Sequence, residues 1–405
     1  MKNKVYYAKA VYGKEEINAV NEVLKNNLAL MDGPKVKEFE KQVAKIFGKK
    51  FGVMVNSGSS ANLIALSSLH LPKGGEVITP ALTFATTVAP IYQCGLIPHF
   101  VDVEEHEFIT NAQHIAQAIN SKTVAIMVPN LLGNVADWKD IHRVAKIHGL
   151  KVIEDCADTL GYRYYESKDG TTGKYNDLVT TSFYASHIIT GAGLGGMVCT
   201  NDKKLYDELK LFRGWGRSSA LFNESEHIDK RFNVKVDGID YDSKFIFKEV
   251  GYNFLPSEIS AAFGLEQLKK LKAFKKIRQR NFELLYDFFR PYMDYRWVEG
   301  IGCTKNADTP MLSFPLVLGH KAPFTRKQLQ THFEKNGVQA RTIFTGNILR
   351  QPVMKNKKYK GSGDYPVADE VMKNGMLIGA HQGMTTDEVK YITKVFTDFV
   401  KKYKK

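Results

Sequence analysis

His187 closes the run Thr181-Ser182-Phe183-Tyr184-Ala185-Ser186, which ends a β-patterned stretch and precedes Gly191-Ala192-Gly193-Leu194-Gly195-Gly196. Imidazole moves protons near neutral pH, so a histidine placed here is a candidate general acid or base; a lone loop histidine is also commonly structural. Upstream, Val152-Ile153-Glu154-Asp155-Cys156-Ala157-Asp158 sets acids at the C-terminal end of an apolar run. Open α/β sheets bind ligands at that edge, and a carboxylate there could hold a protonated cofactor ring nitrogen. An acidic helix start, favoured by the helix dipole, is the alternative. Asn56-Ser57-Gly58-Ser59-Ser60-Ala61-Asn62 stands where a strand pattern turns helical. Amides and hydroxyls in that position make a phosphate cradle, or else a plain Ser-rich N-cap. Phe84, shortly after Pro80, could stack on a planar cofactor or sit in the core.

These residues need a frame. Apolar residues at helical spacing predict helices over Glu15–Leu24 and Val36–Phe47, and another from the serine run through Leu69. Short apolar runs predict strands at Phe51–Val55, Glu76–Thr79, Ile97–Val101, Val124–Val128, Lys151–Glu154, Thr180–Tyr184 and Met197–Thr200, with a helix over Trp138–His148. Strands separated by helices imply a mostly parallel central sheet flanked by helices. The stretch Ser218–Lys248 is polar and poorly periodic and reads as an extended loop or insertion. Pro256 opens a helical segment through about Phe289 that bridges into a C-terminal α/β domain. The expected division is a large domain over residues 1–260 and a bridging helix with a small domain over 261–405.

Composition narrows the classes. The chain has 405 residues, 43% hydrophobic and 25% charged, as in a soluble globular protein. No run is apolar enough to span a bilayer and the first residues lack a signal-peptide core, so a cytoplasmic enzyme is expected. The net charge of +14 comes from scattered lysines, clustered only at Lys269-Lys270, Lys275-Lys276 and Lys401–Lys405. No aromatic-interleaved basic motif accompanies them, so neither nucleic acid nor membrane is the expected partner. Cys94, Cys156, Cys199 and Cys303 form no CxxC pair, and no metal site is expected.

Taken together, in this order and at these spacings, the segments resemble the fold-type-I pyridoxal-phosphate enzymes, specifically the DegT kind of sugar aminotransferase and dehydratase. The likeness runs from Gly33-Pro34-Lys35-Val36 to the C-terminus and includes Gly251-Tyr252-Asn253 and the Gln267-Leu268 helix. In aminotransferases of this family position 187 is a lysine bound to the cofactor as a Schiff base; histidine cannot form that stable link. The substitution resembles the nucleotide-linked 4-keto-6-deoxyhexose 3-dehydratases, as do Leu132-Gly133-Asn134, Arg213-Gly214-Trp215-Gly216-Arg217 and Gly346-Asn347-Ile348-Leu349-Arg350-Gln351-Pro352. Gly191–Gly196 departs from the pattern in being longer and lacking an acid before its paired glycines.

The resemblance implies pyridoxamine phosphate held without a covalent link, interconverting with pyridoxal phosphate. It implies His187 as acid and base, Asp155 on the ring nitrogen, and Phe84 on the ring face. Ser57, Gly58, Ser59 and Ser182 would hold the phosphate, with Asp158 also at the cofactor. Asn253 would reach a partner subunit's cofactor in a homodimer. Arg213, Arg217, Arg341, Asn347, Arg350 and His381 are the candidates for the sugar nucleotide. Relatives that pass electrons through an iron–sulfur cluster carry cysteines just beyond the Trp-Gly-Arg segment, where this chain reads Arg217-Ser218-Ser219-Ala220. Regeneration by glutamate is therefore expected, with a separate reductase as the other route. The implied setting is deoxy-sugar or lipopolysaccharide biosynthesis. Two rivals stay open: an aminotransferase carrying a Lys-to-His change, and a non-catalytic protein that binds sugar nucleotides.

Overall fold

The structure, a computed structural model, describes residues 5–26, 30–164, 171–222, 228–304, 307–309 and 311–403. Seven apolar runs form strands β1 (Phe51–Val55), β2 (Glu76–Pro80), β3 (Ile97–Val101), β4 (Thr123–Pro129), β5 (Lys151–Asp155), β6 (Leu178–Ser182) and β7 (Gly196–Thr200). They lie in the order β1-β7-β6-β5-β4-β2-β3, and an eighth strand from late in the chain, β8 (Lys360–Gly361), pairs with β3. Only β7 runs against its neighbours; the other pairings are parallel. Every residue of β2, β6 and β7 is buried, as a sheet covered on both faces requires. Because β1, β4, β5 and β6 point the same way, Val55, Pro129, Asp155 and Ser182 end on one edge. Gly196 starts β7 beside them.

The helix Gly58–Ser67 follows β1 directly. Ser57 caps it by accepting from the Ser60 amide, and Ser60–Leu66 are all buried. Burial takes in even Ser60 and Asn62, because the helix is wedged against the sheet rather than lying on its surface. The helix Pro34–Ile46 is anchored differently. The buried Glu258 carboxylate accepts from the amides of Gly33, Lys35 and Val36 at 2.9, 3.0 and 2.8 Å. A Cβ at Gly33 would lie 2.8 Å from Glu258 Cδ, which explains the glycine in Gly33-Pro34-Lys35-Val36.

Glu258 opens the bridging helix, which runs Glu258–Asp294, past the expected end near Phe289, with Pro291 in its last turn. Its Gln267 donates to Val11 O at 2.9 Å and to Glu16 Oε1 at 2.6 Å, tying down the N-terminal helix Lys14–Lys25. Beyond it, Phe314–Val317, Gly375–Ile378 and Ala340–Arg341 make an antiparallel sheet, flanked by helices Arg326–Lys335 and Thr386–Val400. Chain crossings tie this region to the rest. Val5 bridges Val338, and β8 adds to the large sheet.

The segment read as a loop over Ser218–Lys248 is more ordered than its polarity suggested. It holds a short helix, Ile228–Phe232, and a hairpin of Val234–Val236 with Ile239–Tyr241. Asp237 and Gly238 turn the hairpin with φ of 50° and 81°, a two-residue turn of the kind Asp-Gly favours. Residues 223–227 lie outside the described residues.

Candidate active site

The sheet edge opens into a cavity of about 540 Å³, a volume suited to a cofactor and part of a second ligand. Ser57, Gly58, Ser59, Phe84, Asp155, Asp158, Ser182, His187 and Arg341 all line it. Residues spread over 285 positions of the sequence are thus brought to one place by strand ends that share a direction.

At one side lies the start of the helix Gly58–Ser67, whose first amides have no intrahelical acceptor and carry the positive end of its dipole. A Cβ at Gly58 would sit 2.6 Å from Ser182 Cβ, so the bare backbone lets the helix start and the end of β6 meet. Ser182 Oγ accepts from the Tyr184 amide at 3.3 Å. At the floor, Asp155 accepts from Asn62 Nδ2 at 2.9 Å, Thr87 Oγ1 at 3.1 Å and the Ala157 amide at 3.1 Å. Burial pushes its carboxyl up, and no cation among the described residues pairs with it. The neighbouring Glu154 has another task. Its carboxylate accepts from Asn130, Cys156, Gly173 and Asn176 and lies wholly inside the protein. Phe84 is 49% exposed although apolar, its ring facing the cavity edge-on to Phe344 at 6.0 Å.

His187 sits on the loop between β6 and β7. The loop is pinned by Phe183 N to Gly195 O, Ala185 N to Gly193 O and Gly191 N to Phe183 O, at 2.8, 3.1 and 3.0 Å. Its Nδ1 lies 3.4 Å from Asp158 Oδ1, within reach of an ion pair once the ring is protonated. The angle makes no hydrogen bond, and Nδ1 is buried without another partner. Asp158, expected at the cofactor, lines the cavity with one carboxylate oxygen facing His187, while its Oδ2 accepts from the Leu132 amide at 2.9 Å.

The remaining candidates lie apart from this cavity's lining. Arg213 is corrected to a buried tie within the chain: it pairs with Asp32 and Glu40 at 2.8 Å each and donates to Met54 O at 3.2 Å. His381, 2% exposed, has both nitrogens in use, Nε2 toward Tyr6 O and Nδ1 accepting from Gly383 N, each at 3.1 Å. Burial lowers its pKa to about 4, so it is a neutral structural histidine rather than a sugar ligand. Asn347 is also buried and spent, donating to Asp369 and accepting from the Leu349 amide. Arg350 is exposed and grips Asp369 with two nitrogens. Arg217 lies over Trp215 at 4.4 Å, flanked by Phe245 and Phe247. Asn253 is exposed on the surface. Arg341 stays at the rim over the Tyr7 ring, paired with Glu334 at 2.9 Å.

The cavity also recruits residues that the sequence reading left out of the site: Tyr7, Asn62, Thr87, Tyr184, Ser313 and Phe344. Asn62 was within the serine motif and could have been found as its helix-facing amide; Tyr7 and Phe344 carry no local signal. Among the described residues one His/Glu cluster has metal-ligand spacing, His70, Glu208 and Glu249, and none of the three lines the cavity. Cys156 is engaged by Glu154 and Asn130, Cys199 lies inside β7, and the four cysteines are free.

Comparison with known proteins agrees with this geometry. Residues 11–397 match the model of the DegT/DnrJ/EryC1/StrS aminotransferase family. The chain is 33% identical over 399 residues to GDP-4-keto-6-deoxy-D-mannose 3-dehydratase of Yersinia pseudotuberculosis, covering 96% of this chain and 97% of that one. The E. coli GDP-4-keto-6-deoxy-D-mannose-3-dehydratase with bound hydrated PLP superposes with a TM-score of 0.86 at 31% identity, over 98% of this chain and 99% of that one. A GDP-4-keto-6-deoxymannose-3-dehydratase with a trapped PLP-glutamate geminal diamine gives 0.85 at 30% identity, over 96% and 99%. The fold is thus that of the fold-type-I enzymes, and the chain belongs to the DegT/DnrJ/EryC1/StrS aminotransferase family.

Proposed function

We propose that this protein removes the C3 hydroxyl of a nucleotide-linked 4-keto-6-deoxyhexose, using pyridoxamine phosphate, with His187 as the acid and base. The single observation that carries the reading is His187 lining the cavity beside the buried Asp158 carboxylate, at the position where the family resemblance implies a lysine. The residues fit the cofactor. A helix start with a bare glycine suits a phosphate. An unpaired buried Asp155 suits a ring cation, and the exposed Phe84 suits a flat ring. When bound, pyridoxamine phosphate supplies an amine that condenses with a ketone and a ring that accepts electrons.

The chain's own part follows from its geometry. The Gly58 and Ser59 amides, with Ser57 and Ser182, hold the phosphate. Asp155, fixed by Asn62 and Thr87, keeps a ring nitrogen protonated. His187 takes up a proton and hands it to the departing C3 oxygen, while Asp158 behind Nδ1 stabilises the imidazolium in between. The absence of a lysine at 187 leaves the cofactor uncaptured, which favours elimination over transamination.

Glutamate regenerates the amine form in this reading, in keeping with the glutamate adduct in the related structure. No reductase is then required. The four cysteines are scattered, with none in the Arg217-Ser218-Ser219-Ala220 segment, which supports turnover without a protein-bound cluster. The working unit is a cytoplasmic homodimer. Val250, Ile228 and Ile239, in the stretch leading to Asn253, are 90%, 70% and 66% exposed, and in this reading a second copy covers them. No helix among the described residues is long and apolar enough to cross a membrane. The test is incubation with GDP-, CDP- and dTDP-linked 4-keto-6-deoxy sugars, pyridoxamine phosphate and glutamate, with products read by mass. Accumulation of a 4-amino sugar would favour the aminotransferase rival; no change in any sugar would favour a binding protein.

A further inference from the structure

Arg278 lies in the middle of the bridging helix, 0% exposed, with no ion pair among the described residues to neutralise it. A buried unpaired guanidinium is costly, and an apolar residue of similar size would fill the space better. Its donors therefore mark what it is for. Nη1 donates to Leu312 O at 2.7 Å and Nη2 to His187 O at 3.4 Å. Leu312 in turn donates its amide to Leu132 O at 2.6 Å, and the Leu132 amide donates to Asp158 Oδ2 at 2.9 Å. Asp158 Oδ1 faces His187 Nδ1 at 3.4 Å. The contacts close a ring: His187 backbone, Arg278, Leu312, Leu132, Asp158, His187 side chain. Leu132 holds its place in that ring at φ 60°, a left-handed conformation unusual for leucine. A second tether, Gln382 Nε2 to Ile188 O at 3.1 Å, fixes the next residue of the same loop.

We infer that Arg278 is a positioning residue for His187. It clamps the backbone of the His187 loop to the Leu312–Ser313 wall of the cavity, while Asp158 aims the ring from the other side. The elements that meet here come from the β6–β7 loop, the bridging helix and the start of the small sheet. Arg278 thus locks the acid–base residue to the surface that faces it. This inference rests on the proposed role of His187, and its test separates the two.

Arg278→Met removes the charge and the donors; Arg278→Lys keeps the charge and one donor. In the dehydration assay, Arg278→Met should lower kcat about a hundredfold while KM for the sugar nucleotide and pyridoxamine phosphate affinity move less than about twofold. Arg278→Lys should recover part of the loss. A second readout needs no turnover. In protein labelled with 13C-histidine and free of cofactor, the His187 ring signal, assigned by its absence in His187→Asn, should shift and broaden in Arg278→Met. The signals of His70, His99 and His332 should stay in place. An unmoved His187 signal in folded Arg278→Met, or a kcat within about twofold of the parent, overturns the inference. Equal movement of all histidine signals shows a general structural role and overturns it as well. A parent enzyme that dehydrates no keto sugar removes the proposed function but leaves the spectroscopic arm to decide on Arg278. If Arg278→Met fails to fold, Arg278→Gln, which keeps an amide donor, is read in the same two arms.

Discussion

In the proposed reading, the side chain at position 187 decides whether the cofactor is captured. His187→Lys should let borohydride trap a covalent adduct, seen as added mass on the chain, and should cut dehydration by about a hundredfold or more. Unchanged turnover would remove His187 from the chemistry. Asp155 is held by Asn62 and Thr87 rather than by a cation, so Asp155→Asn keeps its shape and loses the charge a ring nitrogen needs. Dehydration should fall by about a hundredfold with thermal stability little changed. His381 makes a different kind of prediction. Its folded pKa, lowered to about 4 from 6.5, means the unfolded chain binds the extra proton first as pH drops. Stability is full above the unfolded value and is lost as pH falls from 6.5 toward 4. At pH 5 the loss relative to pH 7 should be on the order of 2 kcal/mol by urea denaturation, and His381→Gln should flatten that slope. The residue scale also shows what a sequence hides. Asp155 was legible because it ends a strand and His187 because it lies on the loop that follows one, and strand ends collect ligands. Arg213 and His381 were not, since their partners Asp32, Glu40 and Tyr6 lie 173 or more positions away. An arginine beside glycines reads the same whether it meets phosphate or carboxylate.

The elements that carry the site were more readable than their ends. Parallel strands buried on both faces announce themselves as continuous apolar runs, and all seven lie close to where the pattern put them. The helix from Glu258 outran its expected end because the signals at a helix C-terminus are weak and Pro291 falls where few hydrogen bonds remain to be lost. The hairpin around Asp237-Gly238 was missed for an opposite reason. Its strands are exposed and only three residues long each, too short for the alternation Val-Lys-Val and Ile-Asp-Tyr to stand out, although the turn pair itself was there to see. The proposed phosphate seat rests on one close approach between elements, Gly58 against Ser182. Gly58→Ala would press a methyl into Ser182, so cofactor affinity should drop tenfold to about a hundredfold, read by titration with pyridoxamine phosphate while circular dichroism stays unchanged. Unaltered affinity would place the phosphate elsewhere.

Over the whole molecule, the net charge of +14 is spread over scattered lysines, a minority of which pair with acids, as Lys203 does with Asp207 and Lys269 with Glu266. The charge suits an anionic sugar nucleotide without marking a nucleic-acid stripe. A homodimer that shares its sites makes a sharp demand on mixed chains. If Asn253 serves the neighbouring cofactor, chains carrying His187→Asn and chains carrying Asn253→Ala, each inactive alone, should regain activity when mixed and reassembled. Each such heterodimer keeps one intact site, so recovery should approach a quarter of the parent's rate on statistical mixing. No recovery would make Asn253 a residue of its own chain. The central claim, loss of the C3 oxygen with glutamate rather than a reductase supplying the two electrons, is tested most directly by one measurement. The protein is given pyridoxamine phosphate, glutamate and a GDP-linked 4-keto-6-deoxyhexose, with no reductase, and the sugar nucleotide is weighed. A product one oxygen lighter, formed over many turnovers as glutamate is consumed, is the expected result. An amine in place of the ketone, or an oxygen lost only when a reductase is added, would contradict it.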